Sequence, residues 1–196
     1  EDYSRELAAY IEEAAVVSNG RMLILFTSKE VLEETHAFLK AGDKLDGFNI
    51  LSQGISSNSK SRLIKYFRSY EKSILLGTAS FWDGLDLPGD ILQCLLLVRL
   101  PFSSPADPLT EARAKRVQLE GGSPFWDYSL PEAIMRFRQG FGRLIRTNED
   151  KGVFIVCDKR ITTTRYGEKF IASLPELKME EVTVSQLHDK MIDWLN

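Results

Sequence analysis

Short apolar runs alternate with stretches of helical periodicity along the whole chain, and this alternation constrains the fold more than any other feature. Met22-Leu-Ile-Leu-Phe26 is apolar at every position, as a strand covered on both faces requires and a strand with one wet face does not. Ahead of it, Leu7, Ile11, Ala14 and Ala15 recur at helical spacing. Behind it, Thr27 with Glu30 three residues on reads as a capping box for a helix carrying Val31, Leu32, Phe38 and Leu39. The plan repeats: a strand over 48–51, a loop and cap at 56–59, a helix facing inward with Leu63, Ile64 and Phe67, then strands over 73–77 and 91–98. Pro101, Pro105 and Pro108 stiffen the next loop before a charged helix over 109–119, which Gly121-Gly122-Ser123-Pro124 breaks. A long helix over 130–145, a strand over 153–157, a helix over 164–172 and an acidic amphipathic helix over 185–195 complete the chain. Such alternation predicts an α/β fold with a mainly parallel central sheet and helices on both faces. Ligands of these sheets bind at the C-terminal ends of the strands.

With 196 residues, 43% apolar and 27% charged, the chain has the length and composition of about one globular domain. Disordered and fibrous classes are excluded. No apolar run approaches the ~20 residues of a membrane-spanning helix. The opening Glu1-Asp2-Tyr3-Ser4 has neither the basic flank nor the apolar core of a signal peptide, so the expectation is a cytoplasmic piece of a longer protein. Cys94 and Cys157 sit in separate strand-like runs, the pattern of buried thiols rather than a metal cluster or a disulfide framework. The net charge is −3, but it is unevenly spread. The stretch 176–196 is acidic, whereas Lys60, Arg62, Lys65 and Arg68, and then Arg136, Arg138, Arg143 and Arg146, form basic clusters on a neutral body. That distribution suits a polyanion touching particular edges.

Three segments stand where the strand-end rule places function. Thr27 and Ser28 bring two hydroxyls to a strand-to-helix passage, where they either hold a phosphate or simply cap the helix. Residues 77–90 combine Thr78, Ser80, Gly84, Asp86 and the aromatic pair Phe81-Trp82. Thr78 and Ser80 can donate to phosphates, Gly84 admits a close approach, and Asp86 can accept from a ribose hydroxyl. The aromatic pair either stacks on bases or packs in the core. In the third segment, Gln139, Arg143 and Arg146 share a helical face with Arg136, opposite Ile134, Phe137, Phe141, Leu144 and Ile145. With no carboxylate spaced to pair with these arginines, they read as a polar stripe for a ligand, a solvated basic face being the alternative. Gly140 and Gly142 each cost about 1 kcal/mol in a helix relative to Ala, which points to close approach by something else.

In this order the segments resemble the C-terminal motor motifs of superfamily 2 DNA helicases, specifically the DinG/XPD-like group. Gln139, Gly142, Arg143 and Arg146 fit Q-x-x-G-R-x-x-R, and residues 78–89 are similar to S-F-W-E-G-x-D-x-P-G, with Asp83 in place of the usual Glu. Gln53-Gly54 and Asp158-Lys159-Arg160 extend the likeness. The resemblance implies a RecA-like domain over residues 1–196, the second of two motor halves. Arg143, Arg146 and Gln139 would serve catalysis, with Gly84, Asp86 and Gly142 at the nucleotide. Thr27, Ser28, Thr78 and Ser80 would contact single-stranded DNA. ATP and Mg²⁺ would be held mainly by the first motor domain, since the chain has no G-x-x-x-x-G-K-[ST] loop and no Asp-Glu dipeptide. No metal ligands are expected here, and the iron–sulfur cluster of the XPD group would lie in the other half. The implied activity is ATP-driven translocation in DNA repair or replication, with the isolated chain inactive. The alternative is a DNA-positioning module behind an upstream 3'-5' exonuclease domain.

Overall fold

The computed structural model describes residues 2–78, 81, 91–147 and 149–195. Five strands form one sheet: β1 (Met22–Leu25), β2 (Asn49–Ser52), β3 (Ser73–Gly77), β4 (Cys94–Leu97) and β5 (Val153–Val156). Their order is β2-β3-β1-β4-β5, and every pairing is parallel. The register places Met22 opposite Ile74 on one side and Cys94 on the other. β1 therefore lies at the centre, and its four residues are all buried, which explains the unbroken apolar run.

Alternate residues of β1 feed two separate cores. Met22 and Ile24 pack with α1 (Asp2–Val17), α2 (Lys29–Ala41) and α8 (Val184–Leu195) through Leu7, Ile11, Leu32, Leu39 and Leu187. Leu23 and Leu25 point to the opposite side, towards α3 (Lys60–Ser69), α5 (Leu130–Leu144) and α7 (Gly167–Ala172) through Leu63, Phe67, Phe137 and Phe170. This is the expected three-layer α/β arrangement. A sheet covered on one face could not bury both sets, because period-two alternation would leave one of them wet.

Local differences from the sequence expectation have physical causes. α2 begins one residue later than predicted: Ser28, with extended backbone, is the cap and its Oγ accepts from Val31 N–H at 3.4 Å. The strand expected over 91–98 shortens to Cys94–Leu97, and that expected over 48–51 shifts to Asn49–Ser52. The helix expected over 164–172 starts later, as α7 at Gly167, and a short helix not expected from the sequence, α6 (Arg160–Thr163), precedes it. Thr164 separates the two: its Oγ1 donates to the Arg160 carbonyl and accepts from Gly167 N–H. Six residues before α5, Pro124–Ser129, form a wider π-helical turn rather than a plain break. α4 (Pro108–Leu119) is capped by Asp107, whose Oδ2 accepts from Thr110 N–H at 2.8 Å, and Thr110 is its one buried residue. No helix among the described residues is long and apolar enough to cross a membrane.

The turn from α1 into β1 is fixed by Gly20. Its φ of +77° is in the left-handed region, and a Cβ there would stand 2.5 Å from backbone atoms of Lys72 and Ser73, where β3 begins. Gly20→Ala therefore combines strain with a backbone clash and is expected to cost on the order of 2 kcal/mol or more. Urea unfolding followed by circular dichroism should show a clearly lowered midpoint, and an unchanged midpoint would contradict this account of the turn.

Candidate nucleotide and nucleic-acid interface

All five strands point their C-terminal ends to one edge of the molecule. Backbone bonds continue the ladder beyond the strands there: Phe26 N–H donates to Gly77 O at 2.8 Å, Gln53 N–H to Leu76 O at 3.0 Å, and Val98 N–H to Leu25 O at 3.1 Å. Thr27, Gln53 and Thr78 thus leave three adjacent strands at one level. Their states differ. Thr27 is exposed, and among the described residues its hydroxyl has no partner. The Ser28 hydroxyl is committed to capping α2. Thr78 donates both its N–H and its Oγ1–H to Gln53 Oε1, each at 2.9 Å. The four hydroxyls singled out from the sequence are therefore not four equivalent free donors. Ser80, Trp82, Asp83, Gly84 and Asp86 lie outside the described residues. Phe81 is buried in the core, with Lys60 Nζ 5.5 Å from its ring centroid, so it packs rather than stacks on a ligand.

Gln53 had no evident task in the sequence beyond its place in a short motif. In the structure one amide oxygen takes two bonds from Thr78, which fixes the start of the loop after β3 to the end of β2. Beside it, α3 starts at Ser59, whose Oγ accepts from Arg62 N–H at 3.4 Å. The basic residues Lys60 and Arg62 therefore stand at the same edge.

The inner face of α5 is as expected: Phe137, Phe141 and Leu144 are buried, while Ile134 and Ile145 are half-buried. Its outer side departs from the expectation at two points. Arg136 is paired after all, with Glu132 Oε1 one turn back at 3.2 Å, and Ser103 Oγ accepts from its Nη1. The spacing i, i+4 was present in the sequence and is the commonest helix pairing. Arg146 lies beyond the helix, because α5 ends at Leu144 and Ile145 is extended. Its backbone is held instead by Asp150, whose Oδ2 accepts from Arg146 N–H and Thr147 N–H, both at 2.8 Å. Those two bonds keep the Asp150 carboxyl below its ordinary range. Gln139 and Gly142 are exposed, and Arg143 is half-buried. A methyl group added at Gly142 would meet no atom within 4 Å among the described residues. Packing among the described residues does not demand that glycine.

At the other end of the edge, Asp158 closes the gap between β4 and β5. Its Oδ2 accepts from Leu100 N–H at 2.9 Å, and the Arg160 guanidinium approaches to 2.6 Å. Burial pushes this carboxyl up, but the Arg160 side chain and the two backbone N–H groups hold it below the usual value. Arg160 also lies over the Phe102 ring at 5.5 Å. Phe102 packs in turn against Phe125, Tyr166 and Phe170, and Phe125 against Tyr166, with these ring centroids 5.3–5.9 Å apart. Burial raises both thiols, Cys157 to about 12 and Cys94 further, so neither is a nucleophile or a ready metal ligand. No group of three or more His, Cys, Asp or Glu side chains converges among the described residues.

Comparison with known proteins places this geometry in a family. Over 186 residues the chain is 42% identical to the 3'-5' exonuclease DinG of Bacillus subtilis, covering 95% of the chain and 20% of that protein. Over 172 residues it is 40% identical to the ATP-dependent DNA helicase YoaA of Escherichia coli, covering 88% of the chain and 26% of YoaA. The chain thus spans about a fifth to a quarter of the length of these relatives. Among solved structures, an XPD helicase superimposes with a TM-score of 0.67 at 20% identity, over 90% of this chain and 31% of that one, a likeness of fold. Residues 11–177 match the helicase C-terminal domain, and with a five-stranded parallel sheet of RecA-like fold beneath that match, the chain belongs to the helicase C-terminal domain family.

Proposed function

We propose that the chain is the second motor half of an ATP-dependent DNA helicase, acting in DNA repair or replication. The observation that carries the reading is the open surface at Gly142, flanked by Gln139, Arg143 and Arg146. A glycine that costs about 1 kcal/mol within a helix, with empty space where its side chain would be, makes sense if another body comes close. In this reading that body is the first motor domain of the same polypeptide, holding ATP and Mg²⁺. Arg143 and Arg146 reach across to the γ-phosphate, where a planar guanidinium stabilises charge on the transferring group. Gln139 links the nucleotide to the DNA-facing loops, and Gly84 and Asp86 meet the ribose side.

Single-stranded DNA lies along the C-terminal edge of the sheet. Thr27 donates to its phosphates from the end of β1, with Ser28, Thr78 and Ser80 alongside it. Because Thr78 is already tied to Gln53, it acts chiefly by presenting the loop, while Thr27 supplies a free hydroxyl. Contacts to phosphate position a strand without reading its sequence, which suits a motor that must move over any bases. A second reading is favoured by the name of one relative, 3'-5' exonuclease: the domain then positions DNA for an upstream nuclease, with little or no unwinding.

Arg143→Ala or Arg146→Ala in the full-length protein should lower ATP turnover by on the order of 10³-fold while leaving nucleotide binding largely intact. Turnover near wild type in either variant would make the stripe a solvated face. Thr27→Val with Thr78→Val keeps β-branched shape and deletes two hydroxyls, so single-stranded DNA affinity should fall similarly for all base compositions. Fluorescence anisotropy measures the affinity, with circular dichroism as folding control. A folded double variant binding as tightly as wild type would remove these residues from the DNA site.

A further inference from the structure

Where the chain leaves β2 and β3, one side-chain amide ties the two exits together. Gln53, the first residue after β2, keeps its backbone in the ladder by donating N–H to Leu76 O at 3.0 Å. Its Oε1 accepts both the N–H and the Oγ1–H of Thr78, each at 2.9 Å. An amide oxygen has two lone pairs, so these two donors match its capacity, and both residues are half-buried. The platform under Gln53 is itself pinned. Ser52 is fully buried; its N–H donates to Ser56 Oγ at 3.0 Å, and its own Oγ stands 2.6 Å from His36 Nδ1. His36 belongs to α2, the helix that follows Thr27 and Ser28. A chain of side-chain contacts therefore runs from α2, through the end of β2, to the start of the loop after β3.

Beyond Thr78 the chain turns back at once. Phe81 N–H donates to Thr78 O at 2.9 Å, and the buried Phe81 ring lies so close to Gly77 that an added Cβ there would stand 2.8 Å from ring carbons. Core packing by Phe81 thus already holds this segment in place. What the Gln53 oxygen adds is direction, because with both donors of Thr78 on one acceptor its peptide plane and its hydroxyl are fixed together. A hydroxyl that gives its proton to Gln53 presents lone pairs outwards, and an ionised phosphate brings no proton to them. While the bond to Gln53 stands, Thr78 orients the loop rather than gripping a phosphate.

We propose that Gln53 is a positioning residue for ATP turnover: through Thr78 its amide oxygen sets the direction in which the loop after β3 leaves the sheet. The proposal rests on the reading of the chain as a second motor half, in which that loop carries Ser80 towards DNA and Gly84 and Asp86 towards the nucleotide. Gln53 itself contacts neither. A wrong departure at Thr78 is carried into the residues that follow, and a misplacement of about 1 Å at a reacting centre costs on the order of 10²-fold in rate. Because ATP is held mainly by the first motor domain, the loss falls on turnover rather than on ATP affinity. The position requires an acceptor oxygen at the end of a side chain of this length, and charge is no part of the requirement.

The test uses the full-length protein, with ATP turnover measured at saturating oligo(dT) and folding followed by thermal unfolding. Gln53→Met keeps the side-chain length and removes the acceptor, so kcat should fall on the order of 10²-fold with KM for ATP little changed. Gln53→Glu restores an acceptor oxygen and should recover most of kcat, while its negative charge weakens oligo(dT) binding in a salt-dependent way. Thr78→Val should lose as much as Gln53→Met, and the double variant no more than either alone, because the two residues act as one unit. Wild-type kcat in a folded Gln53→Met variant overturns the proposal, and a lowered melting temperature beside it would make the tie purely structural. A Gln53→Glu variant as slow as Gln53→Met overturns it as well, as does a double variant whose loss is the product of the two single losses. If Arg143→Ala abolishes turnover and Gln53→Met does not, the motor reading stands and the positioning role alone falls. Turnover near wild type in Arg143→Ala removes the motor reading, and this role with it.

Discussion

Parallel hydrogen bonding across β2-β3-β1-β4-β5 is the constraint on which the rest depends. Strands that all run one way must be joined by crossovers, so the helices cover both faces and every strand ends at the same edge. From that one fact follow the two cores, the apolar uniformity of β1 and β4, and the gathering of Thr27, Gln53, Thr78 and Asp158 at one end of the molecule. Side chains far apart in sequence become neighbours there because the sheet leaves its C-terminal loops nowhere else to go.

The edge is braced by side chains that bridge strands. Gln53 ties the end of β2 to the loop after β3 through two bonds from Thr78. Asp158 ties the end of β5 to the backbone after β4. At the opposite end of the sheet, just ahead of β5, Asp150 closes the turn after α5 and so fixes the backbone at Arg146. Each is an acceptor satisfied by two or more donors, the arrangement that makes a partly buried polar group a fixed point rather than a liability. On the proposed reading, in which the domain presents cations and hydroxyls to a partner, such bracing preserves the advantage of position.

Much of the fold was legible because burial on both faces leaves a plain mark: Met22 to Phe26 has no polar residue to misread. The motifs at Gln139 to Arg146 were legible as residue types for the same reason that they stand out, being glycines and cations where a helix needs neither. Geometry was less legible. Periodicity ran the helix to Ile145 and set Arg146 on the same face, but α5 stops at Leu144, and nothing in apolar spacing marks that end; Asp150 does, through backbone N–H groups that the sequence does not display. The Glu132–Arg136 pair was missed although its spacing was present. Ser28 rather than Thr27 caps α2, a one-residue choice that two adjacent hydroxyls leave undecided. The π-helical turn over Pro124–Ser129 was not legible because it reads in sequence as a Gly-Gly-Ser-Pro break.

On the proposed reading the chain is half of a composite site, able to complete catalysis but not to begin it. ATP hydrolysis by the 196-residue chain alone, with and without single-stranded DNA, tests this most directly. Background turnover in both conditions is the predicted result, since cations reaching for a γ-phosphate have nothing to act upon without the domain that positions it. Robust DNA-stimulated hydrolysis by the chain on its own would contradict it.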